Sequence, residues 1–199
     1  MTDSTKIFGI GYPKTGSKSL AAALDMMGYE VLHDEIAMVR DRIVKNDLTE
    51  LKNTQFDAFI NVSPKAFFLY DREFPNSKFI LTTRSPDSWI KSISRWRKKL
   101  DLLVKNNCLS SADIFSTDSY SLHVLLEYIE NYSSIATDDQ AFIYKFQQHT
   151  EEVQSYFKDR PLDLLTLDLG SPDNHIKLSR FLSTPWPAHR LYPHENKSL

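Results

Sequence analysis

The chain has little with which to build a covalent or metal framework. Its 199 residues include one cysteine, Cys108, so no intrachain disulfide can form and a Cys-rich zinc site is excluded. It lacks an excess of charge of either sign: 24 Lys plus Arg face 26 Asp plus Glu, a formal net charge of -2. That balance argues against a dedicated nucleic-acid binder. No apolar run reaches the roughly 18 residues that span a bilayer. The polar start, Met1 to Lys6, lacks the charged-then-apolar order of a secretory leader. These absences lead us to expect a cytoplasmic protein with no membrane span and no nucleic-acid partner.

What is present is a globular composition. Hydrophobic residues make up 41% and charged residues 25%, which excludes wholesale disorder. The length suits one domain, 1–199, able to bury a core without cross-links. There is no internal repeat and no low-complexity linker.

Apolar runs alternate with helix-like stretches. Strands are expected at Lys6–Ile10, Tyr29–Leu32, Asp57–Val62, Lys78–Thr83 and Asp163–Leu167. Helices are expected at Thr15–Met27, with Gly28 as its stop, and at Glu35–Lys45 and Pro64–Phe74. Further helices are expected from Pro86 to about Lys105, and at Tyr120–Tyr132, Ala141–Lys158 and Asn174–Leu182. Strand, helix, strand, helix implies right-handed crossovers, hence a three-layer α/β/α fold around a mostly parallel sheet. Ligands of such sheets sit beyond the carboxyl ends of the strands. The turns after Ile10, Leu32, Val62 and Thr83 are therefore where chemistry is sought.

The first of these turns reads Gly11-Tyr12-Pro13-Lys14-Thr15-Gly16-Ser17-Lys18-Ser19-Leu20. A strand-to-helix turn offers successive N–H groups and a positive helix end to an anion. Gly16 allows close approach, Ser17 and Ser19 add hydroxyls, and Lys14 and Lys18 add charge. Against the ATP loop G-x-x-x-x-G-K-[ST], Gly11 and Gly16 keep the spacing, but Lys18-Ser19 comes one residue late. At a helix start one residue rotates a side chain by about 100°. A second motif lies at the end of the fourth strand. Arg84 offers a planar fork to a phosphate, and Ser92 follows on the next helix with a hydroxyl.

Together these segments resemble sulfotransferases that use 3′-phosphoadenosine 5′-phosphosulfate (PAPS). The loop is similar to their 5′-phosphosulfate loop, and Arg84 with Ser92, eight residues on, matches their 3′-phosphate pair. The likeness extends over most of the chain. It is nearest to a small soluble subgroup with the core G-x-[PS]-[KR]-T-G-T-x-S-L, a histidine after the second strand, and a C-terminal Phe-Pro-His-x-Asn. Here these stand as the loop, His33, and Tyr192-Pro193-His194-Glu195-Asn196. Ser17 replaces Thr and keeps the hydroxyl, Lys18 replaces a small residue, and Tyr192 replaces Phe.

The resemblance implies a P-loop nucleoside triphosphate hydrolase-like fold and metal-independent transfer from PAPS, leaving 3′-phosphoadenosine 5′-phosphate (PAP). It implies that Lys14, with Thr15, Gly16, Ser17, Lys18 and Ser19, holds the 5′ side, and that Lys14 stabilises the bridging oxygen. The acceptor would be a small molecule or glycan carrying a hydroxyl or amine. Asn61, Ser63 and Lys65 and the helical stretch 109–158 would face it. An acceptor hydroxyl needs a base. His33 is the first choice, because an ordinary imidazole titrates near pH 6.5, with Asp34 and Glu35 as adjacent alternatives. Trp89, Trp186 and Tyr192 are available to stack on adenine, and His194 to line the nucleotide. Two other classes stay open: an ATP/Mg-dependent small-molecule kinase, and a degenerate module that binds PAPS or PAP without turnover.

Overall fold

The computed structural model describes residues 5–33, 47–61, 63–105 and 139–194. The helices expected at 35–45 and 120–132, together with Asp34, Glu35, Cys108, Glu195 and Asn196, lie outside the described residues. Two compact units are present, Met1–Arg84 with His149–Leu199, and Ser85–Gln148.

The first unit is built on five parallel strands: β1 (Ile7–Gly9), β2 (Val31–His33), β3 (Ala58–Ile60), β4 (Lys78–Thr83) and β5 (Leu164–Asp168). Their order is β2-β3-β1-β4-β5. The chain leaves β1 in one direction to reach β2 and later returns to β1's other side as β4. The end of β1 is therefore the point at which the strand order reverses, where ligands of open α/β sheets bind.

Strand parity assigns the two faces. Leu32, Phe59, Phe8, Phe79 and Leu164 lie in one register row. Phe8 is fully buried and stacks on Tyr70 at 4.6 Å, on Phe59 at 5.4 Å and on Phe79 at 5.6 Å. Each such ring contributes about 1.5–3 kcal/mol by leaving water. This face is covered by α3 (Phe67–Glu73) through Leu69 and Tyr70, and by Val153 of α5 (Asp139–Tyr156), with Phe157 beyond it. The next row, His33, Ile60, Gly9, Ile80 and Leu165, points the other way. There α1 (Ser17–Met26) and α6 (Asn174–Leu182) pack through Leu20, Leu24 and Leu178. Gly9 has no side chain because Leu20 and Ile60 occupy its place: a Cβ would fall 2.8 Å from Ile60 Cδ1 and 3.2 Å from Leu20 Cδ2. That contact seats α1 directly over β1.

The ends of α1 follow its sequence. Gly28 adopts φ +92° with open space around it, so its backbone rather than its volume is what the position requires. The Gly28 N–H donates to Asp25 O and the Tyr29 N–H to Leu24 O, which closes the helix in a Schellman turn. Because Tyr29 is used in this cap, β2 starts at Val31 rather than at Tyr29. The stretch expected as one helix at 64–74 opens instead as a 3-10 turn, Pro64–Ala66, before α3. A four-residue helix, α2 (Thr49–Lys52), was not expected; it is too short for hydrophobic periodicity to register.

Asp71 on α3 accepts both guanidinium N–H groups of Arg160, at 2.8 and 2.9 Å, and the Tyr156 hydroxyl at 2.8 Å. This bidentate cluster fixes the C-terminal end of α5 over the sheet. In the second unit, α4 (Pro86–Lys105) begins at the expected proline, and Trp89 stacks on Phe146 at 4.6 Å. Among the described residues no helix is long and apolar enough to cross a membrane.

Candidate functional site

The turn between β1 and α1 is held from three sides. From β4, Thr82 Oγ1 lies 2.7 Å from Thr15 Oγ1, and Thr15 donates its hydroxyl to Tyr12 O at 2.5 Å. The Thr15 N–H also donates to Tyr12 O, at 3.3 Å. Thr15 is fully buried, so its side chain builds the loop and faces the sheet. Gly11 is the point of closest approach: an added Cβ would overlap Thr82 Oγ1 and lie 2.5 Å from Thr82 O. From the end of β4, Arg84 Nη1 donates to Lys14 O at 3.1 Å.

Two residues of the loop sit in the left-handed region, Lys14 at φ 69° and Gly16 at φ 109°. Gly16 is the N-cap of α1, and no side chain caps the helix there. The first N–H groups of a helix have no intrahelical acceptor, and they carry the positive end of its dipole. Ser17 is half-buried at this end, Lys18 is exposed, and Ser19 is buried. Lys14 and Ser17 thus keep partial exposure at this helix start, and Ser19 belongs to the packing beneath it.

Parity also explains His33. It shares a register row with Gly9, so its side chain lies on the face that α1 covers. His33 Nε2 comes within 3.4 Å of Ser17 Oγ. An imidazole therefore flanks the helix start on the side of β3 and β2. Asn61 follows β3 in the left-handed region at φ 61° and is buried, and Lys65 is exposed.

Several other residues singled out in the sequence are buried. Ser92 is buried on α4 in the second unit, as is Trp89, whose ring is taken up by Phe146. Tyr192 is buried among Ile7, Leu20 and Leu178 and stacks with Trp186 at 6.0 Å, while His194 is exposed. Among the described residues no group of three His, Cys, Asp or Glu side chains is arranged to hold a metal ion.

No motif marks His149, yet it forms the third support of the loop. It comes from α5, is 2% exposed, and donates Nε2–H to Ile10 O at 2.8 Å. Its ring lies flat on Tyr12 at 4.3 Å, and Nδ1 has no hydrogen-bond partner among the described residues. Burial pushes its pKa down to about 4; the Ile10 carbonyl opposes this and the nearby Lys65 charge adds to it. In the unfolded chain the imidazole takes up a proton near pH 6.5, and in the fold only near 4. His149 therefore contributes stability that is complete above pH 6.5 and is lost as pH falls from there toward 4, on the order of 3 kcal/mol in all. We expect His149→Gln, which keeps a donor for Ile10 O, to flatten this part of the urea-midpoint against pH curve relative to wild type. Parallel curves for the two proteins would contradict the buried neutral imidazole.

No curated protein matches the chain. A family model described as "Sulfotransferase domain" matches residues 6–199. The match takes in every strand of the sheet and both the loop and the Arg84 turn. The chain belongs to the sulfotransferase domain family, with sulfotransfer as its general activity.

Proposed function

We propose that the chain transfers the sulfuryl group of PAPS to a hydroxyl or amine on a small-molecule or glycan acceptor. The observation that carries this reading is the loop itself: a lysine two residues before Gly16, at an uncapped helix start, with its carbonyl bonded to Arg84. An ATP loop would use the Lys18-Ser19 pair, but Lys18 is exposed and Ser19 buried.

In this reading the N–H groups at the start of α1, with Ser17, hold the donor's 5′-phosphate. Lys14 stabilises the oxygen that bridges phosphorus and sulfur. Arg84 binds the 3′-phosphate, and Ser92 is assigned to the same phosphate from its eight-residue spacing. The bond from sulfur to the acceptor oxygen or nitrogen forms as the S–O bond to the 5′-phosphate breaks, and the electrons of the broken bond leave with PAP. His33 takes the acceptor's proton, supported by its position beside Ser17. Positioning and electrostatics supply most of the acceleration, as they do in phosphoryl transfer.

Calorimetric titration with PAP, AMP and ATP, with and without magnesium, tests the donor. We expect PAP to bind much more tightly than AMP and independently of the metal. ATP binding that exceeds PAP binding and requires magnesium would overturn the reading in favour of a kinase.

A further inference from the structure

We propose that Arg84 is a positioning residue for Lys14, holding the phosphate loop in its anion-binding turn through the Nη1–H···O bond to the Lys14 carbonyl. The inference deepens the reading above, which assigns Arg84 only to the 3′-phosphate.

Lys14 needs such a hold. Its φ of 69° is left-handed, a conformation that costs a residue with a Cβ roughly 1–2 kcal/mol. The loop sequence supplies glycine at 11 and 16 but not at 14, so the turn must be stabilised from outside. Thr82 reaches Thr15, and His149 reaches Ile10 and Tyr12. Arg84 meets Lys14 itself, with a charge-assisted bond of 3.1 Å to its carbonyl. Carbonyl and N–H point opposite ways across one peptide unit. Anchoring Lys14 O therefore also directs the Thr15 N–H into its bond with Tyr12 O. A 3′-phosphate bound by Arg84 would engage a side chain already tied to the 5′ side, so occupancy of one side stiffens the other.

Ligands that lack a 3′-phosphate separate the two roles. The affinities of PAP and of AMP are measured by calorimetry for wild type, Arg84→Ala and Arg84→Lys, with thermal unfolding to show that each variant is folded. We expect Arg84→Ala to weaken AMP about tenfold, the scale of one charged hydrogen bond, and PAP by at least about a hundredfold. Arg84→Lys, which retains a donor, should recover AMP binding more fully than PAP binding. In a Lys14→Gly background, where left-handed φ carries no penalty, the AMP loss caused by Arg84→Ala should shrink.

Weakened PAP with unchanged AMP would overturn the inference and leave the 3′-phosphate assignment standing. Equal losses for both ligands would support the positioning role and remove the 3′-phosphate assignment. No loss for either would overturn both. An AMP loss of full size in the Lys14→Gly background would show that Arg84 does not act through the Lys14 backbone, and would also overturn the inference.

Discussion

Replacing Lys14 with alanine is expected to slow PAPS turnover by about 10²–10³-fold, the loss typical of one electrostatic donor aimed at developing charge. Turnover is followed as PAP released in the presence of a panel of hydroxyl acceptors. Negative charge on the bridging oxygen is small in bound PAPS and grows only as its bond to sulfur breaks. The ammonium therefore stabilises the transition state more than the ground state, and the variant should lose kcat rather than affinity. PAP affinity should fall far less, because the helix start, Ser17 and Arg84 remain. Lys14 also carries the left-handed backbone of the loop, so an alanine variant mixes lost charge with a disturbed turn. Lys14→Gly separates them. Glycine takes φ 69° without strain, so a loss of turnover equal to that of Lys14→Ala isolates the charge. Losses of similar size in turnover and in PAP affinity would contradict a transition-state role.

The sheet and the loop were legible because their signals are local. Lys78–Thr83 is an apolar run between Pro-Asn-Ser and Pro86, and it forms β4 with those bounds. The loop was legible from the spacing of two glycines and one lysine between a strand and a helix. What holds the loop was not. Thr82 reads as one more strand residue, and only the three-dimensional fold brings it against Thr15, 67 positions away. His149 is less visible still, since its partner is a backbone carbonyl 139 positions away and any residue type would supply that carbonyl. Thr15 shows the same limit from the other direction. It was expected among the anion ligands, and its hydroxyl and N–H are both directed to Tyr12 O. Aromatic candidates for adenine were ambiguous because a tryptophan at helical spacing suits a core as well as a ligand; Trp89 stacks on Phe146.

His33→Ala is expected to lower turnover by about 10²–10⁴-fold and to change its pH dependence. A general base works in its unprotonated form, so wild-type activity should fall as pH drops through the titration of His33. In the variant that limb should vanish, leaving a slow rate that is flat over the same range. PAP affinity should fall far less than turnover, because Lys14, Arg84 and the N–H groups at the start of α1 are all retained. The other loop-side histidine does not confuse the measurement: His149 titrates near 4 and is bonded to Ile10 O. A variant that keeps the acidic limb and most of its rate would remove His33 as base and pass the role to Asp34 or Glu35, to be tested by Asp34→Asn and Glu35→Gln. Loss of the limb together with loss of PAP binding would instead make His33 a ligand of the 5′ side.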